Sequence, residues 1–252
     1  MRASSASHQL GPQTAILEIR SAIGLLTRFP VGVAETARTG SAAFALVGAG
    51  LGFVAATPVL AFGGANRPIA AVLGIGLLAL LTGALHLDGL ADTADALAAP
   101  DSATAERARR DPAIGAAGAV SLVLVLMLDV AALATLRAAD VVPAIVVAGA
   151  VSRTVPAIAA PWFPHSGDGF GAWFASASGR GGALAATVTS LAIALLLPGA
   201  ELRLGWLIGL ASGLLLLVAL TRRFGVVVGD GFGAAVEVAF AASLVAQAVT
   251  LR

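Results

Sequence analysis

This 252-residue chain contains no cysteine, no tyrosine and no lysine, and only 12% of its residues are charged. The absence of cysteine excludes disulfide bonds and thiolate metal sites. All 15 basic residues are arginines, and the formal net charge of +1 gives no reason to expect a nucleic-acid partner. Soluble domains carry about 25% charged residues. A chain with 58% hydrophobic residues and so little charge is therefore expected to be an integral membrane protein.

Apolar windows long enough to cross a bilayer recur along the sequence. They predict an all-α, polytopic membrane protein with about seven transmembrane helices, near residues 41–62, 69–87, 117–136, 141–160, 183–199, 204–221 and 234–250. Residues 1–14 predict a disordered tail, and residues 15–29 predict an interfacial amphipathic helix. We expect one membrane-embedded catalytic domain over residues 15–252, in contact with the lipid bilayer. The oligomeric state stays open, a homo-oligomer included.

The arginines between these windows are distributed unevenly. With the N-terminus in the cytoplasm, one side of the membrane holds Arg2, Arg20, Arg28, Arg38, Arg107, Arg109, Arg110, Arg180, Arg222 and Arg223. The other side holds Arg67, Arg137, Arg203 and Arg252. The positive-inside rule then predicts a cytoplasmic N-terminus and an external C-terminus. The longer loops, which carry nearly all the chemically interesting residues, then lie on the cytoplasmic side.

The most informative segment is His86–Asp95, which directly follows an apolar run that ends at Leu85. Asp88, Asp92 and Asp95 are spaced i, i+4 and i+7, so on a helix they lie within about 60° of one another. Carboxylates this close repel, and each costs up to about 2.5–3.5 kcal/mol near bilayer depth. A divalent cation offsets both penalties, and oxygen ligands favour Mg²⁺ or Mn²⁺. The alternative is a solvated helix start, where carboxylates are also favoured.

Further charged residues suggest phosphate chemistry. Asp111 precedes a proline and is expected to cap a helix whose N–H groups would suit a phosphate. Asp230 lies in a glycine-rich segment, and Glu237 follows seven residues later on the same helix face, inside an apolar window where acids are costly. For Arg153, within the fourth window, snorkelling to the interface and a phosphate contact are both open.

Three other polar positions have weaker signals. His86 is expected to point away from the aspartates and to play a supporting role. Asp129 lies near the middle of the third window and has no clear role. His165 lies with Asp168 in the loop 161–171, which an ordinary connector explains equally well.

The run TGALHLDGLADTAD, from Thr82 to Asp95, strongly resembles the signature of the cobalamin synthase family, the adenosylcobinamide-GDP ribazoletransferases. Other segments resemble family elements in the same order, from about residue 20 to the C-terminus: LTRFPV at 26–31, RDPAIG at 110–115, Ser152-Arg153, SGR at 178–180 and GDGFGAAVE at 229–237. One departure is the run WFPHS at 162–166, which stands where the family has a stretch with tyrosine and arginine.

This resemblance implies a Mg²⁺-dependent transferase of cobalamin biosynthesis in the bacterial inner membrane. A hydroxyl of α-ribazole, or of its 5′-phosphate, attacks the phosphoryl group that bears the aminopropanol of adenosylcobinamide-GDP, and GMP leaves. Such phosphoryl transfer depends mainly on cations that neutralise charge and align the reacting oxygens.

The resemblance and the pattern together assign expected roles. We expect Asp88, Asp92 and Asp95 to hold one or two Mg²⁺ on the pyrophosphate. The expected catalytic acids, or further ligands, are Asp111, Asp230 and Glu237. The expected substrate-binding residues are Arg28, Arg110, Arg153, Arg180 and His165. Arginine is suited to bidentate phosphate contact, and His165 stands in for the missing family arginine.

Three other functions remain as alternatives. A CDP-alcohol phosphatidyltransferase shares the chemistry, but its longer aspartate signature with Ala-Arg is absent. An aspartate-rich prenyltransferase needs a second D-x3-D motif, which is not evident. A transporter would explain charges within the apolar windows, but the concentration of acids at one face favours an enzyme.

Overall fold

The computed structural model describes residues 12–31, 39–165 and 169–250. Within these residues the chain is helical. The helices are α1 (Pro12–Leu26), a short 3-10 turn (Ser41–Ala43), α2 (Phe44–Phe62), α3 (Arg67–Thr82), α4 (Leu85–Ala98), α5 (Ser102–Arg110), α6 (Ala116–Thr135), α7 (Ala138–Ala159), α8 (Phe170–Ala177), α9 (Arg180–Leu196), α10 (Ala200–Phe224) and α11 (Gly229–Thr250).

Five helical segments are individually long and apolar enough to cross a membrane: 41–62, α6, α7, α10 and α11. Two further pairs, α3 with α4 and the 171–177 part of α8 with α9, qualify only as bent spans, each with a bend of 92°. If each pair is one span, the total is seven. The prediction of an all-α, polytopic membrane protein is confirmed.

The N-terminal segment differs slightly from its prediction. Helix α1 begins at Pro12, so residues 12–14 belong to a helix and not to a disordered tail. Residues 1–11 of the predicted tail lie outside the described residues, as do Arg2, Arg38, Asp168 and Arg252. The interfacial location of α1 remains a prediction.

The break between α3 and α4 is the main departure from the predicted spans. The second window was expected to run continuously over 69–87, but α3 ends at Thr82. Gly83 (φ 65°) and Ala84 (φ 58°) both adopt the left-handed conformation, and the chain turns by 92°. Glycine takes this conformation freely, whereas the alanine is strained by roughly 1–2 kcal/mol. The aspartate helix is therefore separate from the apolar helix before it.

Helix α7 is the centre of the bundle, since 78% of its apolar window is buried. Its backbone lies directly against α2. A Cβ placed on Gly48 would lie 2.2 Å from the Gly149 carbonyl oxygen, and one on Gly52 would lie 2.3 Å from that of Ile145. Glycine at these positions allows the two helices to approach this closely. Helix α11 packs against α4, α7 and α10. Its N-terminus thereby comes beside the aspartate helix.

Candidate active site

Helices α4 and α11 cross with almost no space between their backbones. A Cβ on Gly89 would lie 2.8 Å from the carbonyl oxygen of Asp230, and one on Gly233 would lie 3.3 Å from the Cα of His86. Only glycine fits the first of these positions without a shift of backbone. The crossing joins the two acidic motifs, which are about 140 residues apart in the sequence.

The crossing creates a cluster of three carboxylates. Asp88 and Asp92 come from α4 and Asp230 from α11, and the three interact electrostatically. Asp92 lies outside the five long spanning helices. Desolvation, followed by the negative charges of Asp230, Asp88 and Asp95, raises the pKa of Asp92 to about 6. The cluster therefore carries an unfavourable concentration of negative charge that a cation would relieve.

Asp95 has a different set of contacts from the one expected. Its two carboxylate oxygens accept hydrogen bonds from the backbone N–H groups of Gly115 and Gly118, both at 2.8 Å. These N–H groups belong to the first turn of α6, so the Asp95 carboxylate caps that helix from another element. Each oxygen retains a lone pair, and the role of Asp95 as a metal ligand is untested. The same two N–H groups are no longer free for a phosphate.

Asp111 does not begin a helix as expected. It is the C-cap residue of α5, and α6 starts only at Ala116. Its Oδ1 accepts a hydrogen bond from the N–H of Ala113, an Asx-type turn. The proline that follows Asp111 sets this turn between the two helices. Asp111 is exposed, and it lines neither of the two cavities described below.

A cavity of about 510 Å³ lies at the crossing. Its charged lining consists of Asp88, Glu106, Arg109, Arg110 and Asp230. The remainder is mostly apolar and includes the rings of Phe44, Phe174 and Phe232. A smaller cavity of about 270 Å³ adjoins it and shares Glu106 and Arg109. Facing acids and arginines beside an apolar wall are suited to an anionic ligand that also has an apolar part.

Arg109 is the most central cation of this site, and sequence reasoning missed it as a functional residue. It interacts electrostatically with Asp92 and Asp230. Glu106 forms ion pairs with both Arg109 and Arg110 on α5, the second with an Nε–Oε1 distance of 2.7 Å. The i, i+3 and i, i+4 spacing of these residues predicts that pairing. It also indicates that Arg109 and Arg110 lie on one face of α5.

Arg153 is buried inside the helix bundle. It is 1% exposed, so it does not snorkel to an interface, and it does not line the large cavity. Its Nη1 donates to Ser152 Oγ at 2.9 Å, and its guanidinium lies 5.6 Å from the centre of the Phe240 ring. The surrounding helices cover the guanidinium, and its predicted phosphate contact stays a prediction.

Arg153 instead lies among buried acids. It interacts electrostatically with Glu237 on α11 and Asp129 on α6. Glu237 has 13% of its side chain exposed, and its Oε1 lies 4.0 Å from Nδ1 of His86. His86 lines the cavity, whereas Arg153 and Asp129 do not. The sequence left Asp129 unexplained, and the structure makes it part of this buried charge group.

Three predicted substrate-binding residues lie away from the cavity lining. The stem of Arg28 covers Gly83 at the α3–α4 break, so the break and the N-terminal segment are joined. Arg180 begins α9 and lies 5.9 Å from the ring of Trp162. His165 forms an isolated bridge with Val227 in the α10–α11 connection. Arg28, Arg180 and His165 are all exposed, and their substrate contacts stay predictions.

The side chains that the structure describes include no group of three or more acids or histidines placed to hold a metal ion on their own. Mg²⁺ commonly binds through one or two carboxylates together with substrate phosphates, and it keeps several waters. The all-oxygen cluster of Asp88, Asp92 and Asp230 offers the hard ligands for that mode.

The helices and the cavity define a class of protein. It is a polytopic membrane protein with a cavity that both acidic and basic side chains line. Sequence comparison gives the family. Residues 18–248 match the protein family described as cobalamin-5-phosphate synthase, and the chain belongs to that family. The resemblance noted from the motifs is thereby confirmed.

Many relatives are named adenosylcobinamide-GDP ribazoletransferase. That of Frankia casuarinae is 34% identical, over 94% of this chain and 96% of its own length. That of a Nocardioides species is 36% identical, over 91% and 97%. That of Bradyrhizobium diazoefficiens is 34% identical, over 88% and 89%. No solved structure matches the chain.

Proposed function

We propose that the protein joins adenosylcobinamide-GDP to α-ribazole, or to its 5′-phosphate, and releases GMP. A hydroxyl oxygen of the acceptor attacks the phosphoryl group that bears the aminopropanol arm. The bond between that phosphorus and the bridging oxygen of the pyrophosphate breaks, and GMP takes the electron pair. The observation that carries this proposal is the convergence of Asp88, Asp230 and Arg109 at one cavity, with Asp92 in electrostatic interaction with all three, in a chain of this family.

Mg²⁺ is the proposed cofactor, held by Asp88 and Asp92 together with the substrate pyrophosphate. When bound, this ion would neutralise charge at the phosphoryl oxygens and help to align the attacking and leaving groups. Asp95 supports this arrangement by fixing the end of α4 to the first turn of α6. Its free lone pairs leave it available as an additional ligand.

The chain's own residues supply the remaining functions. Arg109 and Arg110 bind the pyrophosphate oxygens from α5, where guanidinium geometry allows bidentate contact. Asp230 lines the cavity beside Asp88 and accepts the proton of the attacking hydroxyl. Glu237 and Arg153 do not line the cavity themselves, and they hold His86 and the start of α11 in position.

We propose that the active site lies on the cytoplasmic side of the inner membrane. Arg107, Arg109 and Arg110 end α5, and Arg222 and Arg223 end α10. The two groups lie at the same end of the bundle, because Arg223 Nη2 donates to the carbonyl of Ala99 at 3.1 Å. This end also holds the carboxylate cluster. The positive-inside rule favours the cytoplasm for such an end.

The direct test is GMP release by the purified protein in lipid nanodiscs. Adenosylcobinamide-GDP, α-ribazole and Mg²⁺ are supplied together, and GMP and the joined corrinoid are quantified by chromatography and mass spectrometry. We expect the two products in equal amounts and only when all three components are present. GMP without a joined product would identify a hydrolase. No GMP from a folded, substrate-binding protein would contradict the proposed reaction.

A further inference from the structure

Three charged side chains lie together inside the helix bundle, and none of them lines the large cavity. Asp129 and Arg153 are each 1% exposed, and Glu237 has 13% of its side chain exposed. They belong to α6, α7 and α11, and α11 packs against both of the other helices. Oδ1 of Asp129 and Nε of Arg153 have no hydrogen-bond partner among the described residues. The reaction proposed above uses none of the three as a metal ligand or as a proton acceptor.

The charges of this group do not balance if both acids are ionised. Arg153 is always cationic, because a guanidinium is not deprotonated in proteins. His86, which lies beside Glu237, is uncharged at pH 8, since imidazole ordinarily titrates near pH 6.5 and burial favours its neutral form. One positive charge would then face two negative charges. An uncompensated buried charge is far more costly than a neutral carboxyl group, so one of the two acids is expected to hold a proton.

The arrangement of the three groups indicates which acid is protonated. Arg153 interacts more strongly with Glu237 than with Asp129. Asp129 in turn interacts more strongly with Glu237, whose negative charge would repel its own, than with the guanidinium that would stabilise it. Two carboxyl groups that are coupled in this way do not both ionise readily. Asp129 is also the less exposed of the two acids.

We propose that Asp129 and Glu237 share one proton opposite Arg153, with the proton on Asp129 and the negative charge on Glu237. Glu237 and Arg153 then form a neutral pair inside the bundle, and Asp129 adds no charge to it. The charged Oε1 of Glu237 lies 4.0 Å from Nδ1 of His86 on α4. Asp129 thereby keeps the negative charge at the α4–α11 crossing, where Glu237 acts as a positioning residue. This consequence for the crossing rests on the proposed function, whereas the location of the proton does not.

A metal cation would also balance two ionised acids, but the surroundings favour a proton. A metal cation needs a shell of several oxygen ligands. No group of three or more acids or histidines in the described part of the chain is placed to provide one. The positive charge of Arg153 also repels a second cation, and the Phe240 ring lies 5.6 Å from the guanidinium. A proton needs a single carboxyl oxygen, which this site offers.

Infrared spectroscopy tests the proposal, because a carboxylic acid and a carboxylate absorb at different frequencies. The protein is measured in nanodiscs at pH 8, with the amide band as the internal standard. We expect Asp129→Asn and Glu237→Gln each to lose one carboxylic acid signal, since the remaining acid then pairs with Arg153. Arg153→Gln should gain one signal, since neither acid then has a cation. Asp140→Asn is the matched control, because Asp140 is already paired with Arg137 at the start of α7 and should contribute no such signal.

Isotope labelling assigns the proton to one of the two acids. In protein made with carboxyl-¹³C aspartate, the signal that Asp129→Asn removes should lie at the shifted frequency. A signal that shifts only with labelled glutamate would place the proton on Glu237 and overturn the proposal. An Asp129→Asn protein that keeps the wild-type signal, or that does not fold, would also overturn it, because asparagine has the size and neutrality of protonated aspartate. The wild type and the two amide variants suffice if Arg153→Gln does not fold.

The two amide variants also test the consequence for the crossing. Each removes one acid and one proton, and they differ in where the remaining negative charge lies. Asp129→Asn leaves the charge on Glu237, and kcat for GMP release should stay within about threefold of wild type. Glu237→Gln moves the charge to Asp129, away from His86, and kcat should fall by more than about 10-fold. Both KM values should change by less than about twofold, because neither acid lines the cavity.

The outcomes separate this inference from the proposed function. Equal losses of kcat in the two amide variants would overturn the link between the proton and the crossing. The infrared and labelling results do not depend on turnover. A protein that shows the expected carboxylic acid signals and releases no GMP would support the shared proton and contradict the proposed function.

Discussion

Gly89 lies directly against the backbone of Asp230, so that a methyl group at position 89 would come within 2.8 Å of the Asp230 carbonyl oxygen. This contact fixes the distance between the two acidic motifs. Asp88 of α4 and Asp230 of α11 line one cavity because no side chain separates their helices at this point.

The first prediction concerns this contact. Gly89→Ala should reduce GMP release by more than 10-fold, because the added methyl forces α4 away from α11 and misplaces Asp88 relative to Asp230. Gly50→Ala is the control, since a Cβ there meets nothing within 4 Å on α2. It should retain activity and gain about 0.5–1 kcal/mol of helix stability. Turnover and thermal unfolding in detergent are measured for both variants. Full activity in Gly89→Ala would contradict the proposed role of the α4–α11 crossing.

The second prediction concerns the centre of the carboxylate cluster. Asp92→Asn should abolish turnover in a folded protein, because an amide is neutral and binds Mg²⁺ weakly. Asp140→Asn, at the start of α7 beside Arg137, removes a carboxylate far from the cavity and should leave turnover unchanged. GMP release is measured together with the unfolding temperature. A fully active Asp92→Asn enzyme would exclude Asp92 from the mechanism.

The third prediction is a pH dependence of cation binding. The metal-free pKa of Asp92 is raised to about 6, so below that pH the carboxyl is increasingly protonated. A cation must then displace a proton, and the apparent Kd for Mn²⁺ should rise as the pH falls from 7 to 5. Electron paramagnetic resonance of free Mn²⁺ measures this directly. In Asp92→Asn, residual Mn²⁺ binding should lose this pH dependence, and an identical profile in both proteins would assign it to another group.

The fourth prediction concerns the role of Asp95 as the cap of α6. Asp95→Ala should lower the free energy of unfolding by about 2 kcal/mol, because the N–H groups of Gly115 and Gly118 lose a charged acceptor. Asp95→Asn keeps one oxygen acceptor and should lose less. Asp101→Ala removes the cap of the exposed helix α5 and serves as the comparison, with a smaller loss. Urea or thermal unfolding ranks the three variants; an Asp95→Ala protein as stable as wild type would contradict the capping role.

The fifth prediction concerns Arg109. Arg109→Ala should raise the KM for adenosylcobinamide-GDP by about 10-fold, because a charge-assisted hydrogen bond to phosphate is lost. Arg107→Ala is the matched control on the same helix, since Arg107 is exposed, donates to Thr104 one turn away and lines neither cavity. Steady-state kinetics at fixed acceptor concentration distinguishes the two. Equal effects in both variants would indicate that general positive charge, and not Arg109 itself, is responsible.

Much of the fold could be predicted from the sequence, because apolar windows specify membrane helices directly. The pairing of Asp88 and Asp92 also followed from helical spacing. The 92° break between α3 and α4 could not be predicted in this way, because it depends on two successive residues with positive φ. Of these two residues, only Gly83 indicates such a conformation in the sequence. A hydropathy window cannot distinguish a straight helix from a bent pair of the same composition.

The site was predicted in part for a similar reason. Local spacing identifies which side chains share a face, but it does not give the partner that each side chain meets. Asp95 meets the start of α6, some 20 residues further along the chain, and Arg153 meets Phe240 from another helix. Arg109 was missed as a functional residue because its importance arises from the position of α5 at the cavity. Its ion pair with Glu106 at i, i+3 was the available signal.

The length of α3 has a consequence for the lipid. Its 16 residues rise about 24 Å, which is less than the roughly 30 Å thickness of a hydrocarbon layer. Because the chain then turns by 92°, we expect the aspartates of α4 to lie close to the level at which acyl tails give way to headgroups. A thicker bilayer would draw those charges toward hydrocarbon, and a thinner one would wet them. We therefore expect acyl-chain length to act on the aspartate helix itself.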